Sequence, residues 1–327
     1  MRAEELGYTD VWSAELGAVD AFSPLAAVAV RTSTIRLGTA LVPVFTGPAA
    51  LVAMSAAGIQ NLSGGRFVLG IGASSPAIVG GWMGVPFADP VRRVEEYVDL
   101  LRDMLAGRKV EHEGRTASSH GFHLQVGVDR PVPIHVGALG PRMCRLAGRV
   151  ADGVLFFLMT PDGVRRALEH VAVGAREAGR DPGEIEAFIR LPLALEEPEE
   201  LVRFMARRLL TGYAIVPAYN ASLARQGFAE EAGAIAGAWS AGERDRATAA
   251  FTDEMLEGTC IIGDAAACRT RLEEYRDAGI TTPVLMPYRW PALWRSEPSG
   301  SRPRWPRWLR PGEPSRIPRF VRQGGRE

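Results

Sequence analysis

Three consecutive segments decide the fold: IRLGTALVP at 35–43, PAALVAMSAAGIQNL at 48–62 and RFVLGIG at 66–72. Two short apolar runs flank a longer segment with helical character. Gly64 and Gly65 follow that segment, where a left-handed residue commonly ends a helix. The order strand, helix, strand predicts a βα unit that feeds a parallel sheet.

The same alternation of short apolar runs and amphipathic segments continues over most of the chain. It predicts a parallel sheet of seven strands, with the helices outside. Seven such strands would make an open barrel with two unpaired edges. The predicted strands are 9–13, 35–43, 66–72, 133–138, 153–158, 185–195 and 282–286, and the predicted helices are 23–32, 48–62, 91–106, 141–150, 162–178, 198–213 and 265–278.

The two ends of the sequence depart from this alternation. The chain begins inside a predicted helix, whose natural predecessor is a strand, so we expect about ten to thirty further residues upstream in the true or ancestral protein. Residues 1–288 form the predicted barrel domain. Residues 289–327 are rich in Arg, Pro and Trp and predict a disordered tail. A basic arm that touches membrane or nucleic acid is the alternative.

Composition narrows the class of protein. The 327 residues carry 38 basic and 38 acidic side chains, which argues against nucleic acid or membrane as a partner and favours a small-molecule enzyme. Cys144, Cys260 and Cys268 are too scattered for a zinc site, so we predict free thiols and no metal. The sequence shows neither a signal peptide nor a long apolar segment, which predicts a cytoplasmic protein.

The order and spacing of several motifs carry a family resemblance. Besides the two strands quoted above, the motifs are GWMGVPF at 81–87, PIHVGALGPRM at 133–143, AGRVADGV at 147–154, IIGD at 261–264 and YRDAG at 275–279. Together they resemble the luciferase-like monooxygenase superfamily, and most closely its members that use coenzyme F420. The resemblance covers roughly residues 1–288. It implies an α/β fold, a (β/α)8 TIM barrel that lacks its first N-terminal strand, with the site at the C-terminal ends of the strands.

The resemblance implies a cofactor site built from three loops. The loop of Gly137, Ala138, Leu139 and Gly140 precedes Pro141 and the helix that follows, and it would hold the phosphate region. An ordinary tight turn explains the same residues. Ala40 and Leu41 stand where the family carries a non-prolyl cis peptide behind the cofactor ring; a regular trans strand end is the alternative.

Ala73, Ser74 and Ser75 form the third loop, whose hydroxyls could reach the ring edge or a phosphate, or face solvent. Some relatives that oxidise a sugar phosphate place a carboxylate where Ser75 stands, so this chain lacks that acid.

Glu15 and Asp20 are the carboxylates nearest the family's catalytic loop, and we assign them as candidate catalytic residues, a solvated loop being the alternative. Leu16 and Met83 stand where several relatives have histidine, which weakens the case for imidazole catalysis. We expect His135 to be a buried, hydrogen-bonded structural residue and Asp264 to cap a helix.

The resemblance therefore implies an oxidoreductase that transfers a hydride between F420 and a small organic substrate. An FMN-dependent luciferase-like monooxygenase is the alternative. A third hypothesis is an inactive, truncated family member. Barrels of this family commonly pair through their outer helices, so we expect a homodimer. No loop residue selects among substrates.

Overall fold

In the computed structural model, the described part of the chain comprises residues 2–17, 19–195 and 199–287. Its main sheet is a parallel array in the order β1-β2-β4-β7-β8-β9, with β3 also on β4, and with β10 and β11 both on the far edge of β9. The strands are β1 (Asp10–Ser13), β2 (Arg36–Thr39), β3 (Val42–Pro43), β4 (Phe67–Gly72), β7 (Ile134–Gly137), β8 (Gly153–Phe157), β9 (Glu186–Leu195), β10 (Ile261–Gly263) and β11 (Thr282–Pro287).

The helices cover the outside of this sheet, and a separate antiparallel hairpin joins β5 (Val110–Glu113) to β6 (Ser118–Phe122). The first helices are α1 (Arg2–Glu5), α2 (Phe22–Ala29), α3 (Ala49–Leu62), a π-helix (Ala77–Trp82), α4 (Pro90–Leu105), α5 (Pro141–Val150) and α6 (Pro161–Glu177). After a 3₁₀ turn (Pro182–Glu184) come α7 (Glu199–Ala214), α8 (Pro217–Arg225), α9 (Ala229–Ser240), α10 (Arg244–Ala249), α11 (Asp253–Thr259) and α12 (Ala265–Asp277).

The outer core follows from amphipathic helix patterns. In α4, Val94, Val98 and Leu101 recur at helical spacing and are buried, whereas Arg92 is solvent-exposed over about half of its side chain. These apolar faces pack on the outward-facing residues of the strands, such as Leu69 of β4. Burial of this continuous apolar layer is the main stabilising contribution to the barrel.

Inside the barrel, glycines make room for large side chains. The ring of Trp12 fills the space that a Cβ of Gly38 would occupy, and the His135 ring does the same at Gly153. Trp12 lies edge-on to Phe188 with ring centroids 5.0 Å apart. Nearer the N-terminal ends of the strands, Arg36 pairs with Asp10 at 2.5 Å and with Glu186 at 3.0 Å, which neutralises the polar floor of the interior.

The barrel is nearly closed. β1 and β11 are its two ends, and their Cα atoms come within 8 Å of each other. Among the described residues no ladder joins these two strands. The predicted (β/α)8-type barrel, with two strand edges that do not pair, is therefore confirmed. The expected upstream strand and the domain boundary at residue 288 stay predictions.

All seven predicted strands and all seven predicted helices are present, with ends shifted by three residues at most. The segment 35–43 is interrupted at Ala40 and Leu41 and forms β2 and β3. The sequence analysis did not foresee the β5–β6 hairpin, the three-residue β10, the π-helix or the helices α8–α11. The predicted tail, 289–327, lies outside the described residues. Of the described helices, none has the length and apolarity needed to cross a membrane.

Candidate functional site

The C-terminal ends of parallel strands meet at one end of a barrel, so the loops that follow them form a common rim. The three predicted cofactor loops follow β2, β4 and β7, and Glu15 and Asp20 lie on the loop after β1. All the predicted site residues therefore belong to this end of the barrel.

Ala40 and Leu41 are joined by a cis peptide bond, as the family resemblance implies, and not by the regular trans bond that was the alternative. The Leu41 side chain turns across the barrel. It lies 2.6 Å from the position that a Cβ would take on Gly72, and it also contacts the corresponding position on Gly137. Glycine at both positions therefore lets one leucine join the ends of β2, β4 and β7.

The loop after β1 is hydrogen-bonded to Leu41. The backbone N–H of Glu15 donates to the carbonyl of Leu41 at 3.4 Å. The Glu15 side chain is half-buried, and burial raises the pKa of its carboxyl group, with a further upward contribution from nearby Asp20. A carboxyl group in this environment can hold a proton at a higher pH than a solvated glutamate can.

Asp20 has a structural contact that the sequence analysis did not predict. Its Oδ1 accepts hydrogen bonds from the backbone N–H groups of Phe22 at 2.8 Å and Ser23 at 2.7 Å, at the start of α2. The bond from Ser23 is the main cause that lowers the pKa of Asp20. This carboxylate is held ionised as a helix cap, so Glu15 is the better candidate for proton transfer.

The loop after β4 carries two serines, Ser74 and Ser75, which differ in exposure. Ser74 is partly exposed with φ +62°, a left-handed conformation that few non-glycine residues adopt. Ser75 is buried, and its Oγ accepts from the N–H of Ile78 in the π-helix at 3.4 Å. Ser74 is therefore the more available of the two hydroxyl groups.

The loop from Gly137 to Gly140 leads directly into α5, with Gly140 as the N-cap and Pro141 in the first turn. The first N–H groups of this ten-residue helix point out of its N-terminus, where anions are stabilised. Arg225, at the end of α8, donates through Nη2 to the carbonyl of Leu139 at 3.2 Å and is exposed. The guanidinium of Arg225 thus lies beside the loop that leads into the N-terminus of α5.

Sequence reasoning missed Arg225 because it lies in a segment without a recognised motif, 86 residues from its partner Leu139. It also missed Arg190 of β9, whose Nη1 donates to the carbonyl of Ala40 at 3.2 Å. No local signal distinguishes either arginine from the many others in the chain.

His135 is fully buried in the barrel, as predicted, and burial together with nearby Arg36 lowers its pKa to about 3. The predicted hydrogen bonds are wrong: within the described residues neither ring nitrogen has a hydrogen-bond partner. The ring packs beside Phe188, with centroids 4.5 Å apart, and stacks on Trp12 at 6.1 Å, and Glu186 Oε2 remains 3.5 Å from Nε2. A neutral imidazole in this place fills the core and has no access to the rim.

The remaining polar candidates agree with their structural interpretation. Asp264 Oδ1 accepts from the N–H of Ala267 at 2.8 Å and caps α12. Burial raises the pKa of Cys144 and of Cys260 to about 12, so both stay thiols. In the part of the chain that the structure describes, no group of His, Cys, Asp and Glu side chains is arranged to hold a metal ion.

The rim thus combines glycine-lined strand ends, a helix N-terminus beside an arginine and one half-buried carboxyl group. The family model "luciferase-like monooxygenase" matches residues 1–282. The chain belongs to this family, and it is an oxidoreductase.

Individual relatives are similar over 57–88% of the chain. A 5,10-methylenetetrahydromethanopterin reductase from Methanolobus tindarius is 31% identical over 282 residues, covering 85% of this chain and 86% of the relative. The solved structure of the coenzyme F420-dependent tetrahydromethanopterin reductase from Methanopyrus kandleri superposes with a TM-score of 0.75 at 25% identity, covering 88% and 87% of the two chains. An F420-dependent glucose-6-phosphate dehydrogenase from Nocardia farcinica is 32% identical over 200 residues, or 57% of this chain and 59% of that protein.

Proposed function

We propose that the chain binds coenzyme F420 and transfers a hydride between this deazaflavin and a small organic substrate. The observation that carries the proposal is the likeness to the coenzyme F420-dependent tetrahydromethanopterin reductase from Methanopyrus kandleri, over most of both chains. The 5,10-methylenetetrahydromethanopterin reductase from Methanolobus tindarius is similar over a comparable length. The arrangement of this chain's rim supports it independently.

Ala40, Leu41 and Ala73 supply an apolar surface for one face of the flat ring. Leu41 spans Gly72 and Gly137, two strand-end residues that carry no side chain of their own. Ala73 packs against the outer core and so has a fixed position. A rigid apolar surface orients a planar group and excludes water from one of its faces.

The phosphate region would be held by Gly137, Ala138, Leu139 and Gly140 at the N-terminus of α5, with Arg225 beside them. Backbone N–H groups and a guanidinium are the donors that phosphate binding commonly uses. Ser74 is placed to add a hydroxyl group, with Ser75 supporting the loop. These donors fit an anionic cofactor tail.

When bound, the deazaflavin supplies a hydride acceptor and donor at one ring carbon and activates dioxygen poorly. The protein supplies the side chain that donates or accepts the proton. Glu15 stands on the loop that is bonded to Leu41, and its raised pKa lets the carboxyl group give or take a proton at an oxygen of the substrate. Asp20 keeps this loop in register with α2.

The rim beside Glu15 carries exposed apolar side chains. The Trp82 ring lies 3.2 Å from the position of a Cβ on Gly17, and Leu16, Val19 and Met83 are exposed next to this contact. An apolar lip favours a substrate with an apolar part, and the absence of a carboxylate at Ser75 argues against the sugar phosphates of some relatives.

The test is a fluorescence titration of the purified chain with F420 and, separately, with FMN. We expect saturable F420 binding at least tenfold tighter than FMN binding. Arg225→Met should weaken F420 binding about tenfold, the effect of one charge-assisted hydrogen bond. Arg246→Met, at an exposed arginine paired with Glu243, is the matched control. Binding of neither cofactor would overturn the proposal, and tighter FMN binding with oxygen consumption would replace it with an FMN-dependent monooxygenase.

A further inference from the structure

A cavity in the helical layer lies between the start of α3, α4 and the turn of the β5–β6 hairpin. Its volume is about 620 Å³, which falls within the roughly 300–1,000 Å³ of ordinary ligand pockets. Its walls are residues 45–50 and 113–119, with Arg93, Tyr97 and Leu100 of α4. None of these wall residues belongs to the rim proposed for the cofactor or to the edge strands β1 and β11. The cavity is therefore separate from the proposed active site.

Arg93 places a positive charge in a fixed position at this cavity. Its guanidinium lies 5.7 Å from the centroid of the Phe45 ring and 5.8 Å from that of the Tyr97 ring. Its Nε donates to the carbonyl of Val44 at 3.1 Å, and its Nη1 donates to the carbonyl of Thr116. Two aromatic rings and two carbonyl groups thus hold the side chain in one orientation.

The third nitrogen of this guanidinium stays available. Nη2 of Arg93 has no acceptor among the described residues, and none of their carboxylates pairs with the guanidinium. Arg66, which is also half-buried, by contrast donates from all three of its nitrogens to oxygens of the protein. Because a guanidinium has five N–H donors, Arg93 can still bind an anion through Nη2.

Further donors line the same cavity. The hydroxyl groups of Ser118 and Ser119 have no hydrogen-bond partner within the part of the chain that the structure describes. The backbone N–H groups of Ala49 and Ala50 lie in the first turn of α3, and the N-cap residue Pro48 offers them no side-chain oxygen. Donors from the hairpin and from α3 therefore accompany the guanidinium from α4.

The other charged residues of the wall are exposed and already have partners. Arg115 is exposed over 72% of its side chain and pairs with Asp89 at 3.4 Å. Glu113 is exposed over 76% of its side chain and is hydrogen-bonded to His120 at 2.8 Å. Water screens both of these charges more than it screens that of the half-buried Arg93. Arg93 therefore dominates the electrostatics of the cavity, which favours an anion.

We propose that this cavity binds a small phosphate monoester, with the phosphate group at Arg93. A phosphate group carries three strong acceptor oxygens that point in different directions, which suits donors from α3, α4 and the hairpin. A carboxylate has only two oxygens in one plane and would reach fewer of these donors. Phe45 and Leu100 supply an apolar wall for the organic part of the ligand.

Phenyl phosphate is the probe, and phenol is its uncharged counterpart. Isothermal titration of the full chain without deazaflavin should show saturable binding of phenyl phosphate, with phenol at least tenfold weaker. Ser119→Glu adds a negative charge to the cavity wall and should weaken phenyl phosphate at least tenfold. Ser240→Glu, at an exposed serine of α9 outside the wall, is the matched control and should bind the probe as the unmodified chain does.

A second variant tests the cation itself. Arg93→Gln should weaken phenyl phosphate about tenfold and leave phenol unchanged, because it removes only the charge-assisted hydrogen bond. Arg208→Gln is its control, since Arg208 also packs on a phenylalanine ring, that of Phe204, at 5.8 Å but lies outside the wall. Circular dichroism checks that each variant is folded, and Ser119→Glu still decides the matter if Arg93→Gln is not.

Two results would overturn the proposal. The first is that phenyl phosphate shows no saturable binding. The second is that a folded Ser119→Glu or Arg93→Gln variant binds it as tightly as its control does, which would also be the outcome if the probe occupied the phosphate position proposed for the cofactor. Since the titrations contain no deazaflavin, failure of the proposed function would leave both results unchanged.

Discussion

At the scale of single residues, the half-buried Glu15 shows how position changes chemistry. Its carboxyl group is less solvated than an exposed one, so its charged form is disfavoured and its pKa is raised. Asp20, five residues further on, is held ionised by backbone N–H donors. Two carboxylates on one loop thus have opposite pKa shifts: burial raises the pKa of Glu15, and hydrogen bonds from backbone N–H groups lower the pKa of Asp20.

Glu15→Gln should raise the thermal midpoint at pH 8. The folded-state pKa is above that of the unfolded chain, so the ionised carboxylate destabilises the folded state at high pH, and this effect disappears below about pH 4 where both states are protonated. Thermal unfolding of both proteins between pH 4 and pH 8 measures the difference. An equal difference at every pH would contradict the burial of the charge. Under the proposed function, the same variant should lose turnover and retain F420 binding.

Gly70→Ala should destabilise the fold by about 2–3 kcal/mol, the usual range for overpacking a rigid interior. A Cβ on Gly70 would collide with the carbonyl oxygen of Thr39, a backbone atom that cannot rotate away. Gly58→Ala is the control: Gly58 lies within α3 with open space around its Cβ position, so alanine should stabilise the protein by about 0.5–1 kcal/mol. Urea unfolding of the two variants should therefore give changes of opposite sign.

At the scale of elements, one buried carboxylate attaches the β5–β6 hairpin to α4. Glu96 accepts hydrogen bonds from the backbone of Arg115, Thr116 and Ala117 and from the Thr116 hydroxyl group, at 2.7–3.1 Å. Burial alone would raise the pKa of Glu96, but these bonds outweigh it and lower the pKa to about 2. The loop of the hairpin is therefore held by hydrogen bonds to the ionised Glu96 carboxylate of α4.

Glu96→Gln should cost about 2 kcal/mol of stability at pH 7, because an amide NH₂ group faces donors that need an acceptor. The folded-state pKa is depressed, so the contribution of the ionised carboxylate is complete above about pH 5 and is lost as the pH falls from about 4.5 toward 2. Chemical unfolding at pH 7 and pH 3 measures this convergence. Glu95→Gln, which removes an exposed pair with Arg149, should change stability by less than about 1 kcal/mol.

At the scale of the whole molecule, the barrel has one seam. β7 and β8 are paired on both sides within the sheet, whereas β1 and β11 each present one edge without a ladder partner among the described residues. Unpaired strand edges open more readily and expose backbone amides. We therefore expect β1 and β11 to open more readily than the strands that are paired on both sides.

Hydrogen–deuterium exchange should show this difference directly. Peptides that cover β1 and β11 should exchange at least tenfold faster than peptides that cover β7 and β8. Equal protection of the four strands would contradict an open seam.

The sequence by itself determined the alternation of seven main strands and seven helices, since strand and helix periodicities are local properties of the chain. It also located the loops at 73–75 and 137–140, because a residue that follows a parallel strand must lie at the C-terminal rim. The contacts of Asp20 and the orphan nitrogens of His135 were not predictable, since a pattern of residue types does not specify which donor a side chain meets. Only the tertiary structure brought Arg225 to Leu139 and Arg190 to Ala40, across 86 and 150 residues. Such pairings depend on how the strands close around the axis, which no short segment of sequence encodes.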